Sequence, residues 1–300
     1  MGYFFYILLY ILLRTLALIP LRVLYLFSSL LYFIQYYVIG YRKKIVSDNV
    51  RQAFPDKPEA ELKRIIKDTY KNQCDVIVEI ISMNGIFRKR ILKRVTIHNN
   101  ELLDSIYEKR QPVVAVCAHH GNWELPTLFP PYIKHLVLGV YKPLSIKSLD
   151  LIMQHNRALF GAVPTSINDL WRKIMECKQK DIPSFIYLLA DQRPQAHMIE
   201  HWLPFFGRTV PVVVGPDKIS RKLNCPVVYM NVVRRKRGYY DVHFSLLCDK
   251  PAALPKYEVM KLYYEKLEQC IREQPAPYMW SHNRWKIVKE NQPSQGTDQK

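Results

Sequence analysis

The sequence predicts an α/β fold: a mixed, mostly parallel sheet flanked by helices, preceded by an N-terminal membrane-anchoring helix. Three observations lead there. Apolar, β-branched runs at Val113–Ala118, Leu136–Tyr141, Phe185–Ala190, Val227–Val233 and Tyr240–Leu247 have the length and composition of buried strands. Helical spacing recurs between them, at Leu149–Phe160, Asn168–Lys178 and Val213–Leu223, and that alternation favours a parallel sheet covered on both faces. The third observation is the stretch before Gly40, which is almost free of charge.

Taken in order, Tyr3–Leu13 is continuously apolar, Arg14 interrupts it, and Thr15–Leu21 resumes before Arg22. Val23–Gly40 then carries no charge and ends at Tyr41-Arg42-Lys43-Lys44. A signal peptide needs a basic start and a small-residue cleavage site, and neither is evident. Two readings of the anchor stay open. One helix from Val23 to about Gly40 could cross a bilayer, which takes roughly 20 apolar residues. A bent amphipathic anchor, broken at Pro20, could instead lie in the interface with Arg14 and Arg22 snorkelling. In either case Arg42, Lys43 and Lys44 place the remainder of the chain on the cytoplasmic side.

The expected layout is an anchor over residues 1–41, a helical lead-in over 42–94, an α/β core over 95–290 and a polar tail over 291–300. In the lead-in, Lys44–Phe54 reads as a short helix closed by Pro55. A longer amphipathic helix opens at Pro58-Glu59 and runs to about Ile81, stopped by Asn84-Gly85. A basic patch comes next, at Arg88-Lys89-Arg90 and Lys93-Arg94. Arg234–Gly238 joins the last two strands as an antiparallel hairpin at one sheet edge, and Lys256–Glu273 is a final helix.

The net charge of +18 calls for an anionic partner: nucleic acid, an acidic protein or an anionic lipid surface. No nucleic-acid motif interleaves aromatic with basic residues, and the anchor makes lipid the simpler partner. The six cysteines show no CxxC pair, which fits reduced thiols better than a disulfide framework or a zinc site. His197 and His201 flank Glu200 at helical spacing, but the order is not HExxH and no third ligand is apparent, so no metal is expected.

The chemistry concentrates where the first core strand ends, at His119-His120-Gly121-Asn122-Trp123-Glu124. Open α/β sheets keep their sites at the C-terminal edge of the strands. A neutral imidazole can take a proton from an alcohol, and a carboxylate beside it fixes the tautomer and stabilises the imidazolium. On a regular helix His120 and Glu124 share a face, whereas a strand end at His119 and a turn at Gly121 would bring His119 to Glu124 instead. Asp191 also succeeds an apolar run and so falls at a strand's C-terminal edge, with Arg193 beside it. No Ser or Cys stands in a nucleophile-elbow context, which argues against a covalent enzyme intermediate.

The His119–Glu124 stretch resembles the His-x4-Glu motif of the bacterial lipid A biosynthesis acyltransferases, the lauroyl and myristoyl transferases, lysophospholipid-acyltransferase-like enzymes. Further stretches agree in the family's order: Val140-Tyr141-Lys142-Pro143, Asp191-Gln192-Arg193, Pro204-Phe205-Phe206-Gly207-Arg208 and Trp280-Ser281-His282-Asn283-Arg284-Trp285-Lys286. Asn49–Pro55 and the anchor also fit, so the likeness covers nearly the whole chain. It departs at His120, where an aromatic is commoner, at Lys142, where the family has arginine, and near Ile146, where asparagine is common.

The resemblance implies a base at His119 oriented by Glu124, with His120 a second possibility. It implies substrate-binding roles for Arg157, Asp191, Arg193 and Asn122, and an acyl groove bordered by Phe205-Phe206-Gly207. For the oxyanion, donors are sought among the backbone N–H groups of Gly121–Asn122 or Arg193. The implied reaction moves a fatty acyl chain from a thioester onto a hydroxyl of a lipid A precursor, with no cofactor beyond the donor. The acidic acyl carrier protein suits the basic chain better than coenzyme A does. The alternatives are another glycolipid or aminolipid acceptor, such as a phosphatidylinositol mannoside, or a non-catalytic basic membrane-binding protein.

Overall fold

The structure, a computed structural model, describes residues 2–84 and 91–289, with side chains from residue 6 onward. The basic run at Arg88–Arg90 and the polar tail lie outside the described residues. Seven strands build the main sheet: β1 (Val95–His98), β2 (Val113–Cys117), β3 (Leu136–Tyr141), β4 (Val163–Ser166), β5 (Ser184–Leu189), β8 (Val227–Lys236) and β9 (Tyr239–Cys248). Their order is β1-β9-β8-β2-β5-β3-β4. All neighbours are parallel except β8 and β9, so the sheet is mixed but mostly parallel, as the alternating pattern predicts.

Every residue of β2 is buried, which is what a central parallel strand covered on both faces requires. Val114 and Val116 enter one apolar layer, while Val113, Ala115 and Cys117 enter the layer on the opposite face. Helices α6 (Lys147–Ala158), α7 (Leu170–Gln179) and α8 (Gly215–Leu223) lie between strands along the chain. The final helix is α9 (Glu258–Glu273). The Arg234–Gly238 hairpin forms, but it is not at the edge: β1 pairs with β9 in parallel and takes that position.

Several elements are additional to the sequence reading. Helix α5 (Asn100–Glu108) and the short strands β1 and β4 are among them. So is a two-stranded ribbon of β6 (His201–Phe205) and β7 (Arg208–Val212), with Pro204 and Pro211 in its strands. Prolines are tolerated there because a two-stranded ribbon leaves outward N–H positions unused. His201 therefore belongs to a strand, its ring stacked 4.4 Å from that of Tyr257, and it shares no helix face with His197. Among the described residues no group of His, Cys, Asp or Glu is arranged to hold a metal.

The N-terminal segment comprises α1 (Gly2–Leu16) and α2 (Leu21–Phe33), the latter continued by a π-helical stretch, Ile34–Ile39. Pro20 separates the two helices. Helices α3 (Lys43–Ala53) and α4 (Glu59–Met83) come next. Leu21–Ile39 is long and apolar enough to cross a membrane. One side of it is nonetheless docked along α4. Tyr25 donates to Glu79 (2.8 Å), Ser28 to Asp75 (2.6 Å), and the Tyr36 and Tyr70 rings meet edge to face at 5.3 Å. The opposite side leaves Leu26, Phe27, Leu30 and Phe33 exposed.

Candidate active site

The register between β2 and β5 creates the site. Cys117 pairs with Leu189, and each chain continues two residues beyond that pair, to His119 and to Asp191. The Ala190 N–H donates to the Cys117 carbonyl at 3.2 Å, so the two extensions stay side by side. His119 Nδ1–H donates to Asp191 Oδ1 at 2.8 Å, with Asp191 almost fully buried. On its other side, Nε2 of His119 lies 3.4 Å from the Gln192 amide nitrogen. Burial opposes protonation of His119, but the Asp191 charge and hydrogen bond outweigh it, and Glu124 adds to them, so the imidazole pKa is raised. Burial pushes Asp191 up, yet the facing imidazolium and its hydrogen bond hold its carboxyl below the ordinary value.

Glu124 is not the partner of His119. The chain turns at Gly121 and enters a single turn of 3-10 helix, Leu125–Leu128, which directs the Glu124 carboxylate to Arg157. Arg157 Nε and Nη2 donate to its two oxygens at 3.0 and 2.7 Å, a bidentate pair, and the guanidinium also stands 5.3 Å from the centre of the Tyr141 ring. Sequence proximity pointed to Glu124 as the neighbour of His119; strand register brings Asp191 to its ring instead.

Gly121 has φ +68, and a Cβ there would stand 2.6 Å from the Val232 carbonyl oxygen, so both conformation and space demand glycine. Its N–H donates to Pro277 O at 3.2 Å. His120 faces the interior, its Nε2–H donating to Gln274 O at 2.8 Å, and burial lowers its pKa. Asn122 is fully buried, its amide spent on Glu79 (2.7 Å) and on the Glu124 N–H (3.1 Å). Its side chain is therefore a structural element of the turn and offers nothing to a substrate. Two of the named oxyanion donors are engaged as well: Gly121 N–H by Pro277 O, and Arg193 N–H by His282 Nε2 at 3.1 Å.

His282 is a residue that sequence reasoning quoted without giving it a role. Burial pushes its pKa down to about 4, so it is a neutral acceptor that holds the Asp191–Arg193 loop. Asn49 fastens it in turn, donating to the carbonyls of Trp280 (2.7 Å) and His282 (2.8 Å). Phe205 and Phe206 are side chains of the core. They are buried against Phe54, Trp280 and Trp285, with Arg284 over the Phe205 ring at 5.7 Å. Gly207, at φ +72, makes the β6–β7 turn.

The motifs that meet at this site are spread over the whole length of the chain, and so is the family match. The model of the family described as bacterial lipid A biosynthesis acyltransferase matches residues 1–287. The chain belongs to the bacterial lipid A biosynthesis acyltransferase family. It is 22% identical over 258 residues to the lipid A biosynthesis lauroyltransferase of Escherichia coli (strain K12), covering 84% of this chain and 82% of that relative. This lipid A acyltransferase family member is thus an acyltransferase with a lipid acceptor.

Proposed function

We propose that the protein moves a fatty acyl chain from the thioester of acyl carrier protein to a hydroxyl of a lipid A precursor, with His119 as general base. The His119–Asp191 pair carries this reading. With Nδ1–H given to Asp191, the neutral ring has its lone pair on Nε2, the nitrogen an acceptor hydroxyl would meet. Nε2 takes the hydroxyl proton as the oxygen attacks the thioester carbonyl. Collapse of the tetrahedral adduct breaks the carbon–sulfur bond, and the imidazolium returns the proton to the departing thiolate. Asp191 stabilises the imidazolium in between.

Glu124 and Arg157 act as a unit in this reading. The bidentate pair uses Nε and Nη2 of Arg157 and leaves Nη1 for a phosphate or carbonyl oxygen of the substrate. Arg193, whose Nε is buried without a partner among the described residues, is the second group assigned to the acceptor. A covalent acyl-enzyme is disfavoured because Cys117 is buried and burial drives its thiol pKa well up. An acidic carrier suits the net charge of +18.

The site is placed at the cytoplasmic face of the inner membrane, with α2 lying in the interface rather than crossing the bilayer. Two facts support the in-plane mode: α2 is docked along α4 through Tyr25, Ser28 and Tyr36, and its free side presents Leu26, Phe27, Leu30 and Phe33. The test is transfer of a labelled acyl chain from the carrier thioester to a lipid A precursor on vesicles. Transfer by the wild type, lost in a folded His119→Ala protein, is the expected result. Transfer only to a different glycolipid would replace the acceptor, and an undiminished His119→Ala would end the mechanism.

A further inference from the structure

Glu79 is a buried carboxylate with no direct cationic partner among the described residues, and three neutral donors converge on it. Tyr25 Oη donates to Oε1 at 2.8 Å; Tyr240 Oη and Asn122 Nδ2 donate to Oε2 at 2.8 and 2.7 Å. The residue is 5% exposed, and burial raises its pKa although the three hydrogen bonds and the Arg234 charge work the other way. Burying a carboxyl group that no cation contacts directly is expensive, and a hydrophobic residue would fill the space between α4 and β9 at less cost. Its three partners show what it connects: Tyr25 on the anchor helix α2, Tyr240 on β9, and Asn122 in the catalytic turn.

From Asn122 the connection runs directly into the site. The same amide that donates to Glu79 accepts the Glu124 N–H through Oδ1 at 3.1 Å. With an acceptor at one end and a donor at the other, the amide has one orientation, and Glu124 is delivered to Arg157 from a fixed backbone. On the membrane side, Tyr25 is gripped as firmly. Arg237 stacks 4.4 Å from the centre of its ring and donates to its carbonyl at 3.1 Å. Gly238, at φ +74, lacks the Cβ that would strike the Tyr25 hydroxyl. A residue of α2 thus reaches the active-site turn through one carboxylate.

We propose that Glu79 is a positioning residue that makes the catalytic turn depend on the seating of the anchor helix. When α2 is docked on α4, Tyr25 completes the donor shell around Glu79 and Asn122 is held; when α2 lifts, Glu79 loses a donor and the turn from Gly121 to Glu124 loosens. Because the outer side of α2 is the face assigned to lipid, membrane binding and a competent site become one event. The proposal rests on the acyl-transfer reading only for its consequence in rate.

The test uses the full chain on vesicles, comparing wild type with Tyr25→Phe, which removes one hydroxyl, and Glu79→Gln, which cannot accept from all three donors. Amide hydrogen exchange of the peptide over residues 118–128 is measured beside peptides from β5 and α9. Exchange in the turn should rise about tenfold in both variants while the control peptides change less than about twofold, the mark of local opening. In the transfer assay kcat should fall about tenfold for Glu79→Gln and less for Tyr25→Phe, with KM for the acceptor unchanged. Unchanged exchange in the turn, or an equal rise in all peptides, overturns the proposal whatever the transfer assay gives. A wild type that transfers nothing to the lipid A precursor would sink the acyl-transfer reading and leave the exchange result to decide this one.

Discussion

His119 and Asp191 are 72 positions apart in sequence, yet Nδ1 and Oδ1 stand 2.8 Å from each other because β2 and β5 pair Cys117 with Leu189. The dyad is a product of strand register. A slip of one residue between these strands would turn one of the two side chains to the other face of the sheet. The apolar layers packed on both faces of β2 are therefore what keeps the His119 and Asp191 side chains together.

Glu124 and Arg157 are nearly buried, with side chains 10% and 17% exposed, so removing either leaves an unpaired charge. Glu124→Ala and Arg157→Ala should each cost about 3–5 kcal/mol of stability. Glu124→Ala combined with Arg157→Ala should cost well less than the sum of the two single losses and restore none of the activity. Thermal unfolding of the single and combined variants, alongside transfer rates, gives the comparison; strict additivity in stability would mean the pair is not coupled.

His120 is expected to be dispensable for chemistry. Its ring points inward and its Nε2–H is spent on Gln274 O. His120→Phe should lower stability by about 1–2 kcal/mol through the orphaned carbonyl. The pH dependence of transfer should keep the wild-type limb, whereas a limb that vanishes would make His120 the base.

Gly121→Ala introduces backbone strain of roughly 1–3 kcal/mol at a positive φ. It also drives a Cβ into the Val232 carbonyl, since the approach would be 2.6 Å. The turn cannot hold both Asn122 and Glu124 after such a shift. A folded variant with much reduced kcat is expected; wild-type kcat would show that the turn geometry is not critical.

The in-plane anchor makes its own prediction. A cysteine placed at Leu18, exposed between α1 and α2, should stay on the cytoplasmic side. A membrane-impermeant maleimide should label it in inside-out vesicles only, and labelling in right-side-out vesicles would make α2 a spanning helix. Replacing Leu26, Phe27 and Leu30 with Ser should weaken vesicle binding about a hundredfold or more, given roughly 1 kcal/mol or more for each side chain withdrawn from lipid.

Strands β2, β3 and β5 were legible because a parallel strand covered on both faces is apolar at nearly every position, and Val113–Cys117 shows that without ambiguity. Strands β1 and β4 were not, since Val-Thr-Ile-His and Val-Pro-Thr-Ser are too short and polar to form a pattern. The ribbon β6–β7 was hidden by Pro204 and Pro211, residues that ordinarily argue against a strand. At the site, the position of His119 just beyond a strand end was legible from the apolar run that precedes it. Its pairing with Asp191 was out of reach, because sequence shows which strands exist but not which lie side by side. Glu79 left no signal at all: in α4 it is one more acidic residue in an amphipathic helix, and its importance lies in partners from three other elements.

The most direct test of the dyad is the pH profile of kcat/KM for acyl transfer, in the wild type and in Asp191→Asn. A base must be neutral to accept the hydroxyl proton, so the rate climbs as pH rises through the imidazole pKa. Asp191 raises that pKa above the usual 6.5, which puts the wild-type acidic limb above 6.5. Removing its charge should move the limb to lower pH and lower the plateau about a hundredfold or more, because the imidazolium loses its stabilising carboxylate. A limb that stays where it is in Asp191→Asn, with the protein folded, would contradict the assignment of His119 and Asp191 as base and orienting partner.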